Sequence, residues 1–170
     1  MKYGILSDTH IYSSTNKKKI DSLLEKLGRA FEDVEEIFHA GDVCEEFFLE
    51  ELNKIAPTKC VMGNMDKIQG LDSFLKFSIG KYNIGLIHEP PRDLKTFFTN
   101  SNLHILIHGH THRPLIKGTS YNTLILNPGS TTRPKAPKPK RGFAPPKAKP
   151  SVIIMEIDEE NLLKTFLIHL

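Results

Sequence analysis

Cysteine and long apolar runs are both scarce in this chain of 170 residues. The only two cysteines, Cys44 and Cys60, lie far apart and form no C-x-x-C pair, which argues against a disulfide framework and against a cysteine-ligated zinc site. No apolar run approaches the roughly 20 residues that a membrane span needs. The N-terminus has a single lysine and a short apolar run ended by Asp8, which does not resemble a signal peptide. We therefore expect a cytoplasmic protein without membrane contact.

Positive charge is concentrated in one segment, although the net charge is only +3. Residues 133–150 contain seven of the 23 lysines and arginines and no acidic residue, so the rest of the chain carries 16 basic against 20 acidic residues. Six prolines exclude a central strand there and predict an exposed loop. The loop could be merely solvated, could contact phosphates of a nucleic acid, or could contact another subunit.

Short apolar runs alternate with helical patterns in the first half of the chain. Strands are predicted at 2–7, 36–41 and 59–64, and an amphipathic helix at 45–55. Between the first two strands, apolar residues recur at helical spacing, namely Ile20, Leu23, Leu24, Leu27 and Phe31. This βαβαβ order predicts a parallel sheet with right-handed crossovers.

The second half reads mainly as strands joined by turns. Residues 74–89 predict two strands that turn at Gly80-Lys81, and residues 91–100 predict a short helix before a buried strand at 103–109. Two further hairpins are predicted at 115–130 and 151–168. Together the two halves predict an α/β fold with two packed mixed sheets, forming one domain over residues 1–170.

Polar residues with metal-ligating side chains follow five of the predicted strands. Each has an ordinary explanation, since aspartate caps helices and asparagine builds turns. The carboxyl ends of strands in such sheets, however, are where functional groups gather. Histidines two apart on an extended segment also point to the same side, as in "HGHTH". A shared metal ion is the explanation that covers the whole set, which comprises Asp8, His10, Asp42, Asn64, His88, His110 and His112.

The motifs "DTH", "GD", "GNMD", a strand-end histidine and "GHTH" occur in an order and approximate spacing that resembles the calcineurin-like metallophosphoesterases. The chain is most similar to the small bacterial and archaeal phosphodiesterase branch, whose members also carry an "NPGS" like that at 127–130. The resemblance implies a four-layer α/β/β/α sandwich. It also implies a phosphodiester small-molecule substrate and self-association.

The resemblance further implies a dinuclear metal centre. Asp8, His10, Asp42 and His112 would hold one ion, and Asp42, Asn64, His88 and His110 would hold the other, with the Asp42 carboxylate bridging. A hydroxide between the two ions would attack phosphorus, so the same seven residues would be catalytic. Oxygen and imidazole ligands without a thiolate suit Mn²⁺, the first candidate, or Ni²⁺, Co²⁺, Fe or Zn²⁺. Nearby Ser7, Thr9, Ser130, His39 and His108 are interpreted as supporting or structural residues.

This chain departs from the family pattern at two positions beside the motifs. Met65 stands where many members have a histidine, and a thioether cannot protonate a leaving group unless Asp66 or water does so. The small phosphodiesterases that the chain resembles usually lack this histidine too, which implies a preference for diesters with good leaving groups over monoesters. Glu89 and Pro90 replace the second and third residues of a usual His-Gly-His, and a carboxylate there would repel a phosphate unless it points away.

Two other functions remain open from the sequence. A retromer subunit shares this fold and similar "GHTH" and "NPGS" signatures, so the chain could be a metal-binding scaffold with little or no catalysis. A nuclease would fit the same chemistry and the basic loop. All seven candidate positions keep side chains that can bind metal, which favours the enzyme.

Overall fold

The computed structural model describes all 170 residues. Three helices and ten strands follow one another along the chain as β1 (Lys2–Leu6), α1 (Lys17–Ala30), β2 (Glu36–His39), α2 (Glu46–Ile55), β3 (Thr58–Cys60), β4 (Phe74–Ile79), β5 (Tyr82–Ile87), α3 (Leu94–Ser101), β6 (Ile105–His108), β7 (Pro114–Gly118), β8 (Leu124–Pro128), β9 (Ser151–Ile157) and β10 (Leu163–His169).

The strands form two mixed sheets of five strands each. The first has the order β10-β9-β1-β2-β3, in which β1, β2 and β3 are parallel and β9 and β10 antiparallel. The second has the order β4-β5-β6-β8-β7, with β5, β6 and β8 parallel between two antiparallel edge strands. The predicted parallel βαβαβ unit and the three predicted hairpins are therefore confirmed.

The main core lies between the two sheets, because side chains of a strand alternate between the two faces of its sheet. Ile5 and Phe38 of the first sheet share one buried cluster with Ile84 and Ile105 of the second. The next residue in β1, Leu6, lies on the opposite face and belongs to a different cluster.

Helices cover the outer face of each sheet. Leu27 of α1 and Phe48 of α2 are fully buried on the first sheet, and Phe98 of α3 packs with Leu106 on the second. Full burial of one such side chain contributes roughly 1.5–3 kcal/mol. The predicted four-layer α/β/β/α arrangement is confirmed.

Helix α1 begins at a side-chain cap and ends against the first strand. The side chain of Asn16 accepts the main-chain N–H of Lys18 at 3.0 Å, which satisfies one donor that the helix leaves free. Phe31, just beyond the helix, packs onto Gly4 of β1, where an added Cβ would lie 2.8 Å from the ring. The missing side chain at Gly4 thus brings α1 close to the sheet.

The first predicted strand ends at Leu6 rather than at residue 7, and three later ones also end earlier than expected. Strand β2 ends at His39 rather than at residue 41, β3 ends at Cys60 rather than at 64, and β6 ends at His108. In two of these places the backbone then turns into left-handed conformations, with φ of +84° at Gly41, +59° at Asp42 and +66° at His110. The residues after these strands therefore form tight turns at the carboxyl end of the sheets.

No helix of the protein has both the length and the apolar composition that crossing a membrane would require. The longest, α1, has 14 residues.

Residues 129–150 contain no helix or strand. Every lysine and arginine of this segment is exposed. The segment leaves the second sheet after β8 and enters the first at β9.

Candidate metal centre

The turns after β1, β2, β3, β5 and β6 meet at one edge of the molecule. They bring all seven candidate ligands together, although these are drawn from residues 8 to 112. Two groups of three, Asp8 with His10 and His112, and Asp8 with Asp42 and His88, have ligand atoms that lie within 4.8 Å of one another.

One half of the cluster is built from the turns after β1, β2 and β6. The Nε2 atom of His112 lies 3.3 Å from Oδ1 of Asp8 and 3.2 Å from Nε2 of His10. The Nε2 atom of His10 lies 3.7 Å from Oδ2 of Asp42.

The other half adds the turns after β3 and β5. The Nε2 atom of His88 lies 3.5 Å from Oδ2 of Asp42 and 3.0 Å from Oδ1 of Asn64. The same Asn64 oxygen lies 3.1 Å from Nδ1 of His110. Asp42 therefore lies between the two halves, with His10 on one side and His88 on the other.

The backbone at these positions is unusual. Five of the nine non-glycine residues with positive φ are candidate ligands, namely Asp8, His10, Asp42, His110 and His112. Such conformations cost free energy and persist where the surroundings enforce them, often at functional sites. Main-chain hydrogen bonds from Asp8 N to Gly41 O and from His10 N to Asp42 O, both 3.0 Å, join two of the turns.

The interpretation of "HGHTH" as one extended segment is wrong. His108 is the last residue of β6 and is buried, with Nδ1 near Asn127 and the carbonyl of Gly109. His110 and His112 lie beyond the strand with φ of +66° and +58°. The alternation of a strand therefore stops at His108. The side chains of His110 and His112 converge on the cluster because the backbone beyond the strand is curled.

Two histidine rings are held by main-chain carbonyls. The Nδ1 atom of His88 lies 2.8 Å from the carbonyl of Ala40, and that of His112 lies 2.8 Å from the carbonyl of Arg133. A carbonyl only accepts, so Nδ1–H must donate and Nε2 of the neutral ring carries a lone pair. The Nε2 lone pair of His88 then faces the acceptor oxygens of Asp42 and Asn64, and a cation between them would satisfy all three.

The two carboxylates are buried without a basic partner. Asp8 is 0% exposed and Asp42 is 3% exposed, and the only basic groups within ion-pair distance of either are histidines. Burial raises the pKa of the Asp8 carboxyl above its usual value, although the hydroxyl of Ser7 opposes this. Burial lowers the pKa of His10 to about 4, so its ring is neutral at pH 7. A nearby cation would offset the cost of burying these carboxylates in the ionised form, and the oxygen and imidazole donors fit a divalent metal.

Gly109 allows the GHTH turn to approach Asp8. A Cβ at this position would overlap Ser7 Oγ and would lie 2.7 Å from Oδ2 of Asp8. Without it, the N–H of His110 donates to both carboxylate oxygens of Asp8, at 3.2 and 3.1 Å.

The NPGS segment supports the same turns from behind. The amide nitrogen of Asn127 donates to the carbonyl of Gly109 at 2.9 Å, and the hydroxyl of Ser130 donates to the carbonyl of Asp8 at 2.7 Å. Both residues are fully buried. These contacts agree with the interpretation of Ser130 as a supporting residue.

Asp66 is a structural residue whose role the sequence only hinted at. Its carboxylate accepts the main-chain N–H groups of Asp42, Cys44 and Gly63 at 2.9, 2.6 and 2.7 Å. It therefore clamps the turn after β2 to the turn after β3. The signal was an aspartate two residues after an asparagine, a composition typical of turns.

Both departures from the family pattern lie at the cluster. The main-chain N–H of Met65 donates to Oδ1 of Asp42 at 2.8 Å, while its side chain leaves the residue 45% exposed. The carboxylate of Glu89 lies 4.0 Å from Nε2 of His110, with 71% of the side chain exposed. The negative charge of Glu89 is therefore beside the open side of the cluster.

His39 lies behind the cluster and contacts none of its oxygens. It is fully buried, with Nε2 3.1 Å from the hydroxyl of Thr9. Burial lowers the pKa of both His39 and His108 to about 4. Both rings are therefore neutral packing residues at pH 7.

The protein thus has two stacked mixed sheets, with a cluster of carboxylates, imidazoles and an amide at the carboxyl ends of their strands. This combination is typical of the class of metal-dependent phosphoesterases. The profile of the calcineurin-like phosphoesterase superfamily domain matches residues 1–160, and the chain belongs to that superfamily. The family resemblance expected from the motifs is confirmed.

Three relatives illustrate the likeness. A probable metallophosphoesterase of Methanothermobacter thermautotrophicus is 36% identical over 170 residues, covering 95% of this chain and 89% of the relative. A phosphodiesterase of Methanocaldococcus jannaschii is 26% identical over 145 residues, covering 76% of this chain and 83% of the relative. Vps29 from Entamoeba histolytica, solved in complex with Zn²⁺, superposes with a TM-score of 0.69 at 22% identity, covering 99% of each chain.

Proposed function

We propose that this protein is a phosphodiesterase that works with two divalent metal ions, of which Mn²⁺ is the first candidate. The observation that carries the proposal is a set of lone-pair donors that face one another around two buried carboxylates, with no lysine or arginine to neutralise them. The family to which the chain belongs and the phosphodiesterase among its relatives support the choice of reaction.

The proposed ligands divide into two overlapping sets. Asp8, His10, Asp42 and His112 hold one ion, and Asp42, Asn64, His88 and His110 hold the other. The position of Asp42 between His10 and His88 supports its sharing by both sets.

When bound, such ions lower the pKa of a water molecule for attack on phosphorus and neutralise charge on the phosphate oxygens. The chain supplies a preorganised frame for this chemistry. Carbonyls fix the rings of His88 and His112, and main-chain N–H groups hold Asp8 and Asp42. The chemistry requires no protein nucleophile, and the hydroxyls of Ser7 and Ser130 are both engaged in internal hydrogen bonds.

Protonation of the leaving group has no obvious donor in the turn after β3. Met65 has no proton to give, and the carboxylate of Asp66 is occupied by three main-chain N–H groups. Substrates whose leaving group departs as a stable anion are therefore preferred. The likeness to a phosphodiesterase supports diesters as the substrate, so we expect aryl diesters to react faster than aryl monoesters.

The test is hydrolysis of a chromogenic aryl phosphodiester by metal-stripped protein, with Mn²⁺, Ni²⁺, Co²⁺, Zn²⁺ and Mg²⁺ added back separately. We expect metal-dependent turnover that is lost in His112→Ala. The matched control is His169→Ala, because His169 is exposed on the last strand. A strong preference for the corresponding monoester would contradict the diester assignment.

The alternative is a metal-binding scaffold with little catalysis. The Vps29 structures among the neighbours fit it, and the carboxylate of Glu89 beside His110 would weaken phosphate binding. The same experiment separates the two functions, because a scaffold binds metal stoichiometrically but hydrolyses no ester with any metal.

A further inference from the structure

An open groove of about 670 Å³ begins at the candidate metal centre and runs along α1. His10 and the turn residues Thr131, Thr132 and Arg133 line it together with residues of α1. The groove is larger than a single phosphate needs, and its lining on the helix reaches from Lys18 to Lys26.

The groove carries uncompensated positive charge. Lys18, Lys19, Lys26 and Arg133 line it, and no aspartate or glutamate does. None of these four side chains takes part in an ion pair, in contrast to Lys2, Lys54, Lys59 and Arg29 elsewhere on the surface. Free cations facing one groove attract an anion, because their charge is not neutralised within the protein.

The basic loop of residues 133–150, called the insert from here on, begins and ends at this groove. Its first and last residues, Arg133 and Pro150, both line the groove. Its first residues are held near the metal centre, since Lys135 N donates to the carbonyl of His112 at 2.9 Å and Arg113 Nε donates to that of Ala136 at 3.1 Å. The insert therefore joins the groove at both of its ends.

We infer that this groove binds a further phosphate group of the substrate, so that preferred substrates are phosphodiesters with at least one phosphate besides the scissile one. The inference rests on the proposed function for the scissile phosphate. The groove supplies positive charge for phosphate oxygens beside His10 of the proposed centre.

The test compares two chromogenic esters that differ by one phosphate, thymidine 5′-(4-nitrophenyl phosphate) and its 3′-phosphorylated derivative. We expect kcat/KM to favour the phosphorylated ester by about tenfold, which corresponds to about 1.4 kcal/mol. The triple variant Lys18→Gln/Lys19→Gln/Lys26→Gln should lose this preference while hydrolysing the singly charged ester normally. The control is Lys95→Gln/Lys117→Gln/Lys164→Gln, which removes the same charge from exposed sites outside the groove.

Salt provides a second readout. Raising salt from about 50 to 200 mM should reduce the preference of the wild type for the phosphorylated ester. The ratio of kcat/KM for the two esters should not change with salt in the groove variant. Equal kcat/KM for the two esters, or a preference that survives in the groove variant, would overturn the inference.

Binding keeps the inference testable if neither ester is hydrolysed. Calorimetry with thymidine 3′,5′-bisphosphate and thymidine 5′-monophosphate should show tighter binding of the bisphosphate, lost in the groove variant. That result would uphold the groove while the proposed activity fails, and equal affinities would reject the groove.

A third substrate, a short single-stranded oligothymidylate, tests whether the second phosphate belongs to a nucleic-acid strand or to a small molecule. Deletion of residues 135–149 should slow hydrolysis of the strand and leave the small phosphorylated ester unaffected if a strand is the substrate. Equal effects on both would assign the groove to a small bisphosphorylated nucleotide.

Discussion

The candidate metal centre and the basic groove share His10 but differ in burial, backbone and charge. In the centre, Asp8 and Asp42 are buried on turns with positive φ and have no lysine or arginine partner. In the groove, Lys18 and Lys19 are exposed on a regular helix and face no acid.

This difference separates the proposed hydrolysis, which takes place at buried groups, from the proposed recognition of substrate, which uses exposed groups. Buried charge must be matched at close range, because little water remains to solvate it. Exposed charge stays solvated and contributes mainly when a ligand arrives. Substitutions in the metal centre should therefore have large effects on activity and stability, and substitutions at its exposed side should have small ones.

Asp42→Asn should produce the largest effect. We expect activity with added metal to fall by more than about 10³-fold, because this carboxylate is shared by both proposed ligand sets. In metal-free protein the same change removes a buried charge without a basic partner, so the free energy of unfolding should not decrease. Ester hydrolysis and urea unfolding in chelator measure the two quantities, with the exposed Asp21→Asn as control. Retained activity would remove Asp42 from the centre.

Gly109→Ala should disturb the metal centre by steric crowding, without any change of charge. The added methyl group overlaps Ser7 Oγ and crowds Asp8, so we expect a loss of about 1–3 kcal/mol in unfolding free energy together with weaker metal binding. Gly118→Ala is the matched control, because a Cβ there meets no atom within 4 Å. Similar stability of the two variants would contradict the close approach at Gly109.

Acid should destabilise the metal-free protein through its buried histidines. Burial lowers the pKa of His10, His39 and His108 to about 4, against about 6.5 in an unfolded chain. Between these values the unfolded chain binds more protons, so the unfolding free energy falls as pH drops from about 6.5 to 4, by roughly 1.4 kcal/mol per pH unit for each histidine.

Urea unfolding in chelator across this range measures the slope. His39→Asn should make it shallower, and the exposed His169→Asn serves as control. A His39→Asn variant whose slope equals that of the wild type would show that the His39 ring takes up a proton as readily in the folded protein as in the unfolded chain.

Glu89→Gln should have the smallest effect, because the side chain is mostly exposed. Removal of its negative charge beside His110 should lower KM for a phosphodiester by up to about fivefold at low salt, with kcat little changed. The exposed Glu159→Gln is the control. A change in KM that persists at high salt would mean that Glu89 contacts the substrate directly.

Much of the fold follows from local patterns in the chain. The alternation of apolar runs with the Ile20–Phe31 and 45–55 helical patterns predicted the parallel unit, and the turn at Gly80-Lys81 and the pattern at 151–168 predicted two hairpins. The lengths of β2 and β6 were overestimated, because the left-handed backbone that follows these strands depends on contacts with other turns.

The candidate site was found for a partly wrong reason. The seven polar residues after strands do converge, but His110 and His112 reach the cluster through curled turns and not through the alternation of a strand. Their ligation of metal stays a prediction. The clamp formed by Asp66 and the support from Asn127 were not assigned, because a hydrogen-bonded partner of distant main-chain groups has no signature in sequence.

The sequence by itself determined the element order, the family motifs and the set of groups able to hold a metal, because periodicity and residue chemistry are local properties. Tertiary structure alone decided which lone pairs face one another around Asp42, that Asp66 is occupied, and that Lys18, Lys26 and Arg133 line one groove beginning at His10. Those features are distances between residues remote in the chain, and they exist only once the two sheets and α1 have packed.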